Sequence, residues 1–155
     1  MIYQLKTLQK IPSDIDTIWD FISSPRNLKI ITPEFMGFDI IGEVDAEKMY
    51  QGMIISYKVS PLLGLKMNWT TEITHVVEKQ YFVDEQRFGP YQFWHHKHFL
   101  QPIKNGVEMR DVIDYKIGYG IFGNIANHLI VKKQLKTIFD YRYKKIEEIF
   151  GNYVD

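Results

Sequence analysis

The sequence predicts an α+β fold in which a curved antiparallel sheet of about seven strands wraps around a long C-terminal helix. Two short helices fall between the first two strands, and an internal cavity lies between sheet and helix. Three observations carry this reading. From Phe35 to Lys116 the hydrophobic pattern has a period of two; after Gly118, Gly120 and Gly123 it turns helical for about thirty residues. The connections between strands are mostly too short for parallel crossovers, so the strands form an antiparallel meander. A helix with one apolar face must bury it, and the concave side of a bent sheet is the only large partner available.

The first strand spans Ile2 to Lys10, where Ile2, Gln4, Lys6 and Leu8 alternate with Tyr3, Leu5 and Thr7. Pro12-Ser13 stops it, and Ser13 is the expected N-cap of a short helix with Asp14 and Asp16 in its first turn. Ile15, Ile18, Trp19 and Ile22 give that helix its apolar face. Ser24-Pro25 opens a second brief helix running to about Ile31, and Pro33 ends it. The remaining strands are read as Phe38–Glu43, Met53–Ser60, Met67–Val77, Tyr81–Phe88, Phe93–Pro102 and Val107–Ile117. Gly52, Pro61 with Gly64, Glu78-Lys79-Gln80, Gly89-Pro90 and Asn105-Gly106 separate them; the last is a type I′ hairpin signal. Phe122, Ile125, Leu129, Lys132, Leu135, Ile138, Phe139, Arg142, Ile146 and Ile149 mark the inner stripe of the terminal helix, which Gly151 and Asn152 close.

Composition narrows the function classes. At 155 residues, with no low-complexity tract, repeat or linker, residues 1–155 read as one domain. Nineteen basic residues balance nineteen acidic ones, so bulk charge gives no reason to expect a nucleic-acid partner. The absence of cysteine excludes disulfides, thiol catalysis and cysteine-ligated metal centres. The N-terminal stretch is interrupted by Lys6 and Lys10, and no stretch approaches ~18 consecutive apolar residues, so no integral membrane association is expected. A cytoplasmic location is the default expectation. Ten Phe, ten Tyr and three Trp make 15% of the chain, enough to fill a core and also to line an apolar pocket with polar handles. Phosphate-binding glycine fingerprints and a G-x-S-x-G elbow are absent.

The sharpest cluster is Trp94, His96 and His98, which share one strand face with Leu100. Met109, Asp111, Ile113 and Tyr115 alternate on the next strand and are mostly apolar, so they belong on the cavity side, where Asp111 can hydrogen-bond a histidine. Three readings stand side by side. Two histidines at i and i+2 plus a carboxylate suit zinc or iron(II), but such geometry needs a complete set of ligands that is not evident nearby, so no metal is expected. His96 or His98 paired with Asp111 suits general acid/base work, making these three the catalytic candidates. The leading reading is a buried polar network or a set of polar ligand anchors. Trp69, Thr71, Ile73 and His75 alternate opposite a plainly polar set and are expected to face inward. Phe82, Asp84 and Gln86 share a face whose two polar groups make a solvated exterior the default, a cavity floor being the alternative. The lysines of the terminal helix, with Arg142, read as a solvated face rather than a lipid-headgroup surface.

The segment FVDEQRFGPYQFWHHKHF followed by VEMRDVIDY carries a resemblance. Phe82, Asp84 and Gln86, then Gly89-Pro90, Trp94, His96 and His98, then Asp111 and Tyr115, are similar to a bacterial branch of ligand-binding SRPBCC domains. This superfamily includes START and birch-pollen-allergen-like (Bet v 1-like) proteins and polyketide cyclases. The ending IFDYRYKKIEEIF also resembles that branch, whereas Ile117-Gly118 stands where the branch often has a proline. The resemblance implies the helix-grip fold and an internal cavity. It leaves the function open, because the superfamily mixes carriers, sensors and enzymes. The lead expectation is binding of a small hydrophobic or amphipathic ligand without a cofactor, with Trp69, Thr71, Trp94, His96, His98, Asp111, Tyr115 and Phe122 as ligand contacts. A cyclase-, aromatase- or dehydratase-like enzyme using a His/Asp pair is the alternative. A protein-interaction or stress-response module is a third reading.

Overall fold

The computed structural model describes residues 1–42, 46–62, 65–118 and 130–154. Seven strands form one sheet: β1 (Tyr3–Ile11), β2 (Asp39–Ile40), β3 (Ile54–Leu62), β4 (Leu65–Val77), β5 (Tyr81–Phe88), β6 (Phe93–Ile103) and β7 (Gly106–Lys116). Their order across the sheet is β1-β7-β6-β5-β4-β3-β2, and every pair is antiparallel. Helix α1 (Ile15–Ile22) and two 3-10 helices (Pro25–Lys29 and Glu34–Met36) connect β1 to β2, and α2 (Lys132–Phe150) ends the fold. No helix among the described residues is long and apolar enough to cross a membrane.

The cap of α1 differs from the expected Ser13. Asp14 is the N-cap: its Oδ1 accepts from the Thr17 backbone N–H at 2.8 Å and its Oδ2 from the Thr17 hydroxyl at 2.7 Å. These bonds to the charged form hold the Asp14 carboxyl below its ordinary range. The second brief helix is a 3-10 helix of five residues, Pro25–Lys29; Pro25 supplies its fixed φ, but the Ser24 side chain caps nothing. Strand β2 is two residues long rather than six, and Glu43 lies outside the described residues. Pro61, read as a separator, falls inside β3, where a register shift between Val59 and Leu62 accommodates a residue that cannot donate to the ladder.

The β4–β5 pairing carries two further register shifts, the first between Thr70 and Thr71. Between Ile73 and His75 the register slips by one residue, so Thr74 is extra. The bulge turns His75 outward, and it is exposed rather than inward-facing. The hairpin between β6 and β7 is centred on Lys104-Asn105, because Ile103 pairs with Gly106. Only Asn105 has a positive φ (61°), so this is not the type I′ turn expected from Asn105-Gly106. Gly106 answers a different demand, since a Cβ there would lie 2.1 Å from the Ile11 carbonyl oxygen on β1. Gly106→Ala therefore forces backbone apart where β1 meets β7, and a loss of about 1–3 kcal/mol is expected. A thermal melt checks it, at roughly 2–4 °C per kcal/mol for a chain of this size.

The concave face carries two apolar clusters. One joins Ile18, Trp19 and Ile22 of α1 to Phe82, Leu100, Met109 and Ile146; the other joins Trp69, Tyr91, Trp94 and Tyr115 to Leu135 and Phe139 of α2. On α2 the buried positions are Leu135, Phe139, Arg142 and Ile146, whereas Lys132 and Ile149 of the expected stripe are exposed. Phe122, Ile125, Leu129, Gly120 and Gly123 lie outside the described residues.

Candidate functional site

Strand pairing assembles the site. His96 of β6 lies between Asp84 of β5 and Ile113 of β7, and His98 lies between Phe82 and Asp111. Side chains two residues apart share a face. Trp94, His96, His98 and Leu100 are all buried, as are Met109, Asp111, Ile113 and Tyr115. Two imidazoles on one strand are thus flanked diagonally by two carboxylates on its neighbours.

The distances define a four-membered cluster. Asp84 Oδ2 lies 3.3 Å from His96 Nδ1 and 2.7 Å from His98 Nε2. Asp111 Oδ1 lies 3.2 Å from His96 Nε2 and 3.0 Å from His98 Nδ1. The last contact is short but off the hydrogen-bond direction, which leaves His98 Nδ1 without a partner. Trp94 Nε1 donates to Asp84 Oδ1 at 3.1 Å, and the Thr7 hydroxyl donates to Asp111 Oδ2 at 3.3 Å. Arg142, reaching down from α2, places Nη2 3.8 Å from Asp111 Oδ1. The rings are clamped: His98 stacks on Phe82 at 4.0 Å between centroids, His96 lies 3.7 Å from His98, and Phe139 meets His96 edge-on at 5.7 Å.

Electrostatics follow from the packing. Burial alone would raise the Asp111 carboxyl, but Arg142 and the imidazole N–H groups hold it well below the usual carboxylate range. Asp84 is likewise held low by the two histidines against the opposing effect of burial. Burial would lower His96, yet the carboxylates on its two sides outweigh that and raise it. Burial pushes the phenols of Tyr57 and Tyr91 well up; the Tyr57 hydroxyl shares a 2.6 Å hydrogen bond with Thr71.

Above the cluster lies a cavity of about 150 Å³ between sheet and α2. Trp69, Tyr91 and Trp94 form an aromatic wall, with Trp69 edge-on to Trp94 at 5.1 Å and Tyr91 4.9 Å from Trp94. Of the residues singled out in the sequence, Trp69, Thr71, Trp94, His96 and His98 line this cavity. Asp111 stands behind the histidines and borders an outer groove between β1 and α2. Tyr115 packs on Tyr3 at 5.7 Å and Tyr91 at 5.9 Å and does not line the cavity. Asp84, expected on a solvated exterior, reaches the cavity instead, because Trp94, His96 and His98 satisfy its carboxylate there. Arg142 leaves the basic face for the same reason: Asp111 waits for it beneath the helix. The face that Phe82 and Asp84 share is the inner one, and the inner stripe of the terminal helix includes Arg142. Besides His98 Nδ1, the buried side-chain groups without a partner among the described residues are Trp69 Nε1 and Arg142 Nε, and both residues line the cavity.

No protein-family model matches the chain, and no curated protein matches it. Solved structures do. A Chromobacterium violaceum protein superposes with a TM-score of 0.71 at 14% identity, covering 97% of this chain and 99% of that one. A START superfamily protein from Mycobacterium smegmatis gives 0.70 at 13% identity, covering 95% and 96%. Major latex-like protein 151 from Panax ginseng gives 0.66 at 14% identity, covering 96% and 97%. The chain has the helix-grip fold of the SRPBCC superfamily. The cavity sits between the curved sheet and the last helix, and its polar floor is built from Asp84, His96 and His98, with Asp111 behind the two imidazoles.

Proposed function

We propose that the protein is a carrier or sensor for a compact, ring-sized apolar ligand bearing a hydrogen-bond acceptor. The observation that carries this reading is the pair of orphaned donors, Trp69 Nε1 and Arg142 Nε, on residues lining a cavity with largely aromatic and aliphatic walls above its polar floor. A buried N–H without a partner costs about 1–3 kcal/mol, and a carbonyl, carboxylate or phenolate oxygen entering the cavity removes that cost. Size narrows the class further. A dry cavity of about 150 Å³ is known to hold benzene, which favours one ring over a long-chain lipid.

Solvent extraction of denatured protein followed by mass spectrometry tests the reading, with a near-equimolar ring compound as the expected result. A matched pair of probes tests its chemistry. Trp69→Phe is expected to weaken binding of acetophenone about 2- to 12-fold, the equivalent of ~0.5–1.5 kcal/mol for one hydrogen bond, while ethylbenzene changes less than about twofold. Equal losses for both probes, read by quenching of the remaining tryptophans, would refute the acceptor assignment. A cyclase- or dehydratase-like role is favoured by one observation, the imidazole of His96 held between two carboxylates at the cavity floor. It predicts turnover of the extracted compound, abolished in His96→Gln.

A further inference from the structure

The geometry points to a mononuclear divalent transition-metal site of the zinc or iron(II) class, formed by Asp84, His96 and His98 at the cavity floor. This inference is independent of the ring-ligand reading. One ligand atom from each of the three residues lies within 4.8 Å of the others. The nitrogens that face Asp84 Oδ2 are Nδ1 of His96 and Nε2 of His98, at 3.3 and 2.7 Å. Nitrogen and oxygen ligands about 2.1 Å from a tetrahedral zinc stand about 3.4 Å apart. The first distance fits as it is, and the second has to open by roughly 0.7 Å, a small rotation of one side chain.

The opposite nitrogens make the stronger argument. Coordination through His96 Nδ1 and His98 Nε2 puts the ring protons on His96 Nε2 and His98 Nδ1. Both of these face the same atom, Asp111 Oδ1, at 3.2 and 3.0 Å. A carboxylate accepting from the outer nitrogen of a metal-bound imidazole is the recurrent way such ligands are oriented, and one carboxylate here serves two. Once rotated, His98 Nδ1 gains the partner it otherwise lacks. Trp94 Nε1 holds the other oxygen of Asp84, leaving Oδ2 for the ion, and Arg142 places Nη2 3.8 Å from Asp111 Oδ1. With both histidines neutral, the two carboxylates outnumber the single guanidinium by one. A divalent ion inverts that imbalance, and an anionic oxygen, from water or from a ligand in the cavity, closes it. Three protein ligands leave at least one coordination position for that oxygen.

The test uses the full chain, stripped with chelator and titrated with Co2+ as a spectroscopic stand-in and then with Zn2+. Saturable binding of one Co2+ per chain is expected, with the intense visible bands of a four- or five-coordinate ion, displaced by Zn2+. Nitrogen-15 spectra of the imidazoles should show Zn2+ on His96 Nδ1 and His98 Nε2, with the exposed His75 unmoved. Asp84→Asn is expected to weaken Co2+ binding by about 100-fold or more, and Trp94→Phe, which only frees Asp84 Oδ1, by about 10-fold. No saturable binding, a purely octahedral aqua spectrum, or shifts centred on His75 and His95 would overturn the site. So would a folded Asp84→Asn protein that binds Co2+ as tightly as the parent. Should that variant not fold, the nitrogen-15 spectra of the parent decide.

Discussion

Asp111→Ala is expected to remove about 3–5 kcal/mol of folding stability, because it strands buried charge instead of merely deleting a contact. Asp111 is 2% exposed and stands where β1, β7, β6 and α2 converge. Its carboxylate is the nearest counter-charge to Arg142, whose guanidinium is itself buried and has one nitrogen already without a partner. Alanine leaves that cation without its counter-charge and removes the carboxylate that lies beside both imidazoles. Asp111→Asn keeps the shape and the acceptor but loses the charge, so it should fall between alanine and the parent. The double variant Asp111→Ala/Arg142→Met separates charge from packing: removing both members of the pair is expected to recover much of the loss. Urea unfolding of the parent, Asp111→Ala, Arg142→Met and the double variant measures the coupling. If the double variant is as unstable as the sum of the single ones, the pair is not what holds α2 to the sheet.

That coupling also marks where sequence patterning stops being informative. Alternation assigned the faces of β6 and β7 correctly, since Trp94, His96, His98, Asp111 and Tyr115 are all buried on one side of the sheet. The same rule failed on β4 after Ile73, because a single inserted residue flips every following side chain and no composition signal marks Thr74 as extra. For Asp84 the period was right and the inference from polarity was wrong. A carboxylate is taken for a surface group unless its partners are visible, and here they come from a strand that begins five residues after Phe88. Arg142 is the same lesson on a helix: the period of 3.6 put it inward, and only the tertiary position of Asp111 explains why a cation can stay there. The turn before β7 failed for yet another reason. Gly106 answers to the backbone of Ile11, a contact nearly a hundred residues away in sequence, and not to its own hairpin.

Phe82→Ala is expected to cost about 3–5 kcal/mol and, at the same time, to change what the cavity accepts. Phe82 is 2% exposed and joins three parts of the molecule. It meets Trp19 of α1 edge-on at 6.2 Å, stacks on His98 at 4.0 Å and 15°, and lines the cavity. Truncation removes the anchor of α1 and the plane that fixes the His98 ring, and adds its own volume to the cavity. A residual void costs roughly 24 cal/mol per Å³ in addition to the lost transfer energy, so the effect should exceed that of a surface aromatic several-fold. Phe82→Leu refills most of the volume but offers no flat face to His98, and a loss of less than about 1.5 kcal/mol is expected for it. The two variants therefore separate packing from orientation. Stability should track the volume removed, and a two-ring probe such as naphthalene should bind only to the alanine protein. Co2+ affinity should fall in both, because both release the His98 ring. A leucine variant with parental Co2+ affinity would mean that Asp84 and Asp111 alone hold His98 in place, and a naphthalene-binding parent would show that the cavity opens wider than its resting 150 Å³.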